Sequence, residues 1–179
     1  NGSKEPYVPT GDALYQDDAT EPNRTEVTKE QIIIPYYPDR SLNPFQCADF
    51  TNKTVLSLLY QGLFALDQDY QAWPILCQSY QVSWDLKTYI FTLAEATFSD
   101  GTALTADDVV ASLKAAKKSS VYKGRFEQVD KISVTEEGNL QINLKVPCES
   151  LPMLLDVPIV KESEVESAIP LGTGPYVFQ

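Results

Sequence analysis

The chain has 179 residues, 43% of them hydrophobic and 22% charged, with 25 acidic side chains, 14 basic ones and a net charge of −11. That length and balance suit one domain, or one large subdomain, with a real apolar core, and exclude a disordered polymer. The acidic surface argues against binding a phosphate backbone, the absence of histidine excludes His-based triads and His-containing metal sites, and no apolar run is long enough for a membrane-spanning helix.

Residues 1–30 read as a flexible acidic tether, because prolines and seven acids interrupt any periodicity and leave too little to bury. The alternative is an ordered arm anchored by Tyr7 and Val8 or by Leu14 and Tyr15. Ile32, Ile33 and Ile34 read as a short buried strand ended by Pro35. An irregular loop follows through Ser41-Leu42-Asn43-Pro44. A helix is expected from about Asp49 to Tyr60, capped by Asp49 or Thr51 and stopped by Gly62. Leu63, Phe64 and Leu66 form a strand, Asp67-Gln68-Asp69 a turn, and Trp73-Pro74-Ile75-Leu76 an irregular stretch or single turn.

Gln81–Trp84 and Thr88–Leu93 alternate on either side of Asp85-Leu86-Lys87, which reads as a hairpin with Val82 and Trp84 on one face. Ile90, opposite Tyr89 and Phe91, suggests cover on both sides. Ser99-Asp100-Gly101 is a turn. Thr105 caps a helix running to about Lys118, with Asp108 placed to close a capping box and lysines toward its end. Ile132–Thr135 and Leu140–Leu144 make a second hairpin around Glu137-Gly138-Asn139. Ser150–Leu155 suits one or two helical turns, Val157–Val160 a short strand, and Gly172–Phe178 a tight loop feeding a strand. A chain stopping inside an apolar strand is expected to continue in the natural protein. The mixture of short helices and hairpins predicts an α+β (mixed α/β) fold.

The chemistry is sparse. Asp17-Asp18 fall in the tether, Asp67 and Asp69 in a turn, Asp107-Asp108 at a helix start and Glu136-Glu137 at a hairpin, so no acid pair is placed as a catalytic dyad. The Asp67–Asp69 stretch lacks the length and late glutamate of an EF-hand, and Gly172-Thr173-Gly174 lacks the lysine and following helix of a phosphate loop. Serines and cysteines have no histidine base, so the chain is not read as an enzyme, and no metal or cofactor is implied. Cys47, Cys77 and Cys148 read as buried free thiols; one disulfide is the alternative, with partners that spacing does not identify. Tyr36, Tyr37, Trp73, Trp84 and Tyr176 suit either internal packing or a binding surface. Asn23 and Asn52 open glycosylation sequons.

Several segments taken together resemble one family. Tyr60-Gln61-Gly62-Leu63-Phe64-Ala65-Leu66-Asp67, Thr88-Tyr89-Ile90-Phe91-Thr92-Leu93, the stretch from Phe98-Ser99-Asp100-Gly101 through Leu113, and Gly172-Thr173-Gly174-Pro175-Tyr176 are similar, in order and spacing, to segments of bacterial extracellular solute-binding proteins. These serve ABC importers of peptides and nickel (family 5). Tyr80, Cys77 and Ala94-Glu95-Ala96 depart from its pattern. The resemblance implies the amino-terminal part of lobe I of a two-lobed periplasmic-binding-protein-like fold. Residues 31–46 would start lobe I, 47–170 would form its small inserted subdomain, 171–179 would return to it, and lobe II would lie outside the chain.

It further implies capture of extracellular oligopeptides or dipeptides for a membrane permease. The protein would be a monomer without nucleic-acid partners, held at the cell surface by a lipid anchor ahead of the tether, or periplasmic. Nickel complexes or another small solute are the alternative ligands, and a stand-alone surface interaction module the alternative role. Within Ser41–Phe45 and Gly172–Tyr176, Asn43, Thr173 and Tyr176 are the candidates for the ligand cleft; simple loop packing is the competing reading.

Overall fold

The computed structural model describes residues 33–178, so the tether and its alternative anchors lie outside the described residues. Helix α1 (Phe50–Leu59) begins where Asp49 accepts hydrogen bonds from the Thr51 and Asn52 amides at 2.9 and 3.1 Å, and Arg40 pairs with the same carboxylate at 2.7 Å. Asp49, not Thr51, is therefore the cap. The helix ends at Tyr60 in extended backbone rather than on a left-handed glycine. Gly62 serves another purpose: a Cβ there would lie 2.9 Å from the Phe64 carbonyl oxygen and 3.0 Å from that of Val157.

Strands β1 (Phe64–Leu66) and β2 (Ala72–Pro74) form a small antiparallel hairpin. The expected irregular stretch at Trp73-Pro74 is thus a strand. A two-stranded ribbon consists only of edges, and an edge tolerates a proline that cannot donate. The main sheet is antiparallel and four-stranded, in the order β3 (Cys77–Val82), β4 (Thr88–Leu93), β6 (Leu140–Leu144), β5 (Val129–Val134). Its first hairpin begins earlier than the alternation suggests and stops at Val82, so Trp84 lies in the turn, 96% exposed, and shares no strand face with Val82.

One face of this sheet is apolar. Tyr89 and Phe91 are buried beside Leu140 and Ile142, which lie opposite Val134 and Ile132. The register shift between Val129 and Lys131 brings Val129 into the core as well. The other face carries a polar run in which Gln141 donates to Asn143 and Asn143 to Thr88. Ile90 on that side is half-buried, less covered than the sequence suggests.

Helix α2 (Ala106–Lys118) packs on β5 and β6. Its capping box is complete: Asp108 accepts from the Thr105 amide and hydroxyl at 2.9 and 2.8 Å, and Thr105 Oγ1 accepts from the Asp108 amide. The other Asp108 oxygen accepts from the Glu162 amide at 2.8 Å. Ser112 bonds both ways with the Val160 main chain.

Three further expectations are corrected. Ile33 is exposed and joins no strand among the described residues; Pro35, without an amide hydrogen, follows within two positions. Val157, Ile159 and Val160 are buried, but they thread between elements and pair only as a single bridge from Val160 to Gly172. Residues 173–178 bend at Gly174 and Pro175 and form no strand. Among the described residues there are also three 3-10 turns, at Lys123–Phe126, Leu151–Leu154 and Glu162–Glu164.

Candidate ligand cleft

The Ser41–Phe45 loop is held from inside. Leu42 and Phe45 are buried, and Asn43 is buried between them. Its Oδ1 accepts from the Phe45 amide at 3.0 Å, while Nδ2 donates to the carbonyls of Val165 and Ser167, both at 2.8 Å. Both N–H donors of that amide fasten residues 165–167 onto the loop, and its oxygen braces the loop itself. Asn52 works similarly: buried in α1, it accepts from the Tyr37 amide and donates to the Tyr37 carbonyl. A glycan could not be attached to such a side chain in the folded protein, and the other sequon, at Asn23, lies outside the described residues.

The Gly172–Tyr176 segment lies along the carboxyl end of α1. Gly174 donates to the Leu59 carbonyl at 2.9 Å and Tyr176 to that of Leu58 at 3.3 Å, which satisfies helix-end acceptors that would otherwise be orphaned. The approach is close enough to demand glycine. A Cβ on Gly172 would sit 2.2 Å from the Leu59 oxygen, and one on Gly174 would sit 2.4 Å from that of Leu58. Tyr60 donates its hydroxyl to the Pro170 carbonyl at 2.9 Å; burial, and then the nearby Glu164 charge, push that phenol well above its ordinary range. Glu164 also accepts from the Leu171 amide at 2.8 Å.

Thr173 and Tyr176 therefore share one surface segment, with Tyr176 partly exposed and the Thr173 hydroxyl 3.1 Å from Gln61 Oε1. Asn43 is joined to them only through residues 164–171. Gln61 also borders an open groove of about 500 Å³, lined by Lys53, Leu56, Tyr60, Tyr122 and Asp156. Arg125 pairs with Asp156 and lies over the Tyr122 ring, 5.3 Å from its centroid, so one wall is stiffened by charge and stacking. The groove offers an amide, an ammonium and aromatic edges. Sequence reading passed over Gln61 and Tyr122; the only signal was the position of Gln61 within the Tyr60–Asp67 segment. Among the described residues no three acidic or cysteine side chains converge as a metal-binding group.

Residues 71–179 match the family model described as bacterial extracellular solute-binding proteins, family 5 Middle. The chain belongs to that family. It is a family of solute-binding transport proteins, not of enzymes. The chain is 30% identical over 163 residues to a glutathione-binding protein GsiB of Pectobacterium atrosepticum, covering 84% of this chain and 32% of that protein. It is 32% identical over 149 residues to the protein of the same name in Escherichia coli K12, covering 76% and 29%.

Among solved structures it resembles the binding protein AgaA of A. tumefaciens R10, in complex with agropinic acid. That match has a TM-score of 0.69 and 28% identity over 78% of this chain and 31% of that one. NikZ of Campylobacter jejuni, in complex with Ni(L-His), follows at 0.65 and 25%, over 82% and 32%. The chain spans about a third of the length of these relatives. The mixed α/β architecture is thus that of part of a solute-binding lobe.

Proposed function

We propose that this chain supplies part of lobe I of a two-lobed binding protein that captures an extracellular peptide and hands it to an ABC permease. The observation that carries the reading is the family match over residues 71–179. In this reading residues 31–46 open the lobe, 47–170 form its inserted subdomain and 171–179 return to it. Ligand binding closes a second lobe over the first, and the permease recognises the closed form. Thr173 and Tyr176 face the cleft, with Gln61 beside them. Asn43 acts from behind as the fastening of the cleft loop, because its amide is already committed. A lipid anchor preceding residues 1–30 keeps the protein at the cell surface.

The glutathione-binding relatives support a peptide-like solute. The likeness to NikZ, solved with Ni(L-His), favours a second reading in which the solute is a small metal complex. Native mass spectrometry of the protein, isolated undenatured from its own host, separates them. A ragged set of bound masses that fragment as peptides is expected. A single adduct carrying nickel would support the second reading. A ligand-free protein that also fails to take up peptides or nickel chelates on titration would sink both.

A further inference from the structure

Residues 161–171 form a loop whose two ends meet. Val160 bridges Gly172, and the Lys161 amide donates to the Leu171 carbonyl at 3.1 Å. Little of the loop is in the core: Pro170 is buried, and Val165 is packed at the core's edge. Polar ties hold the rest. The Asp108 carboxylate accepts from the Glu162 amide at 2.8 Å, and Lys161 pairs with Asp100 at 2.6 Å. Asn43 donates to the Val165 and Ser167 carbonyls. A segment with so few buried apolar contacts opens more readily than the sheet does.

One peptide group of this loop is gripped at both ends. The carbonyl of the Pro170–Leu171 peptide accepts from the Tyr60 hydroxyl at 2.9 Å, and its N–H donates to the Glu164 carboxylate at 2.8 Å. Tyr60 ends α1, and Glu164 ends a 3-10 turn just ahead of the residues that Asn43 fastens. Burial first, and the Glu164 charge second, keep the Tyr60 phenol protonated and therefore a donor. The peptide group is planar, so turning it would strip both partners at once. It lies immediately ahead of Gly172, which sits too close to the Leu59 carbonyl to leave room for a Cβ. Beyond it the Gly172 carbonyl accepts from the Ser99 amide at 3.1 Å, and the Gly174 amide reaches Leu59 at 2.9 Å.

We propose, on the reading above of residues 172–176 as one side of the cleft, that Glu164 and Tyr60 are positioning residues. They clamp the Pro170–Leu171 peptide, and the clamp sets Thr173 and Tyr176 against α1 for the solute. The same contacts run from Asn43 through residues 165–167 and Glu164 to Leu171, so the Ser41–Phe45 loop and the Gly172–Tyr176 segment are linked through one carboxylate.

The test uses Glu164→Ala, Glu164→Gln and Tyr60→Phe in the protein isolated undenatured from its own host. Hydrogen exchange at the Gly174 and Tyr176 amides is compared with exchange in β4 and β6, and native mass spectrometry gives the fraction of protein carrying solute. Glu164→Ala is expected to speed exchange at Gly174 and Tyr176 about tenfold, as for one lost charge-assisted hydrogen bond, and to leave the sheet unchanged. Tyr60→Phe, which loses a neutral hydrogen bond, acts at the same amides to a smaller extent. Both variants carry several-fold less solute. Glu164→Gln keeps an oxygen that accepts from Leu171 and restores both the protection and the bound fraction. Exchange at Gly174 and Tyr176 that is unchanged in both variants, or raised equally in the sheet, overturns the proposal. So does a loosened segment with an undiminished bound fraction. A parent protein that carries no solute counts against the cleft reading instead, and exchange at the two amides then decides the clamp by itself.

Discussion

Asn43 and Gly172 show how much a single side chain, or its lack, decides in this molecule. Replacing Asn43 by alanine leaves the partly buried Val165 and Ser167 carbonyls and the buried Phe45 amide without these partners. The expected loss is about 2–3 kcal/mol of stability, read from urea unfolding midpoints. An intact midpoint with weakened solute binding would instead make Asn43 a ligand contact. Gly172→Ala forces a methyl group onto the Leu59 carbonyl and is expected to cost about 3 kcal/mol, visible in the same measurement.

The thiols give a residue-scale prediction of a different kind. Burial raises the Cys77 thiol to about 11 and that of Cys47 above its ordinary value. All three cysteines are free, and Cys148 is the least buried. A thiol reagent at mildly alkaline pH is expected to label Cys148 in the native protein and the other two only on unfolding. Because the folded state holds the Cys77 proton more tightly than the unfolded chain does, its contribution is fully present below pH 9 and is lost as pH rises toward about 11. The midpoint of unfolding should fall across that window, and less so in Cys77→Ala.

At the scale of elements, α2 was fully legible because its signals are local. Thr105, Asp108 and the apolar spacing of Val109, Val110 and Leu113 lie within one short stretch and agree with one another. Thr105→Ala should cost about 1 kcal/mol. Asp108→Ala should cost more, about 2–3 kcal/mol, since it also strips the Glu162 amide of its acceptor. Thermal melts of the two variants would rank them. The second hairpin was legible for the same reason, with Gly138 at positive φ in its turn. Strand β2 was not, because Pro74 forbids a central strand and nothing local reveals that the ribbon has only edges. The run Val157–Val160 is not a strand because apolar continuity reports burial but not the ladder; the Ile159 and Val160 amides are satisfied by Gln61 and Ser112, far away in sequence.

For the molecule as a whole, one buried cluster runs from Leu42 and Phe45 through α1, both sheets and α2 to Val160. Residues on both sides of the expected boundary at 46–47 share it. Unfolding of the described region is expected to be one cooperative transition, with tryptophan fluorescence and far-ultraviolet circular dichroism coinciding. Two separate transitions would show that the 47–170 segment is an independent unit. The family was legible from several short motifs in order, whereas the groove beside Gln61 was not. Its walls come from α1, the Lys123–Phe126 turn region and Asp156, which only the folded chain brings together.

The glycine segment that finishes α1 also sets an order of events. The Tyr60 hydroxyl and its Pro170 acceptor stand 110 residues apart, and the carbonyls of Leu58 and Leu59 wait for partners still farther along the chain. On the ribosome, α1 emerges long before anything can close its end, and docking the glycines means closing a loop at an entropic cost of about 4 kcal/mol. That step is expected to come last, after the main sheet and α2 have formed, and pulse-labelled hydrogen exchange of the Gly174 and Tyr176 amides during refolding checks it. A nascent chain halted before Gly172 would carry a frayed α1, so completion of the helix reports that synthesis has passed the glycines.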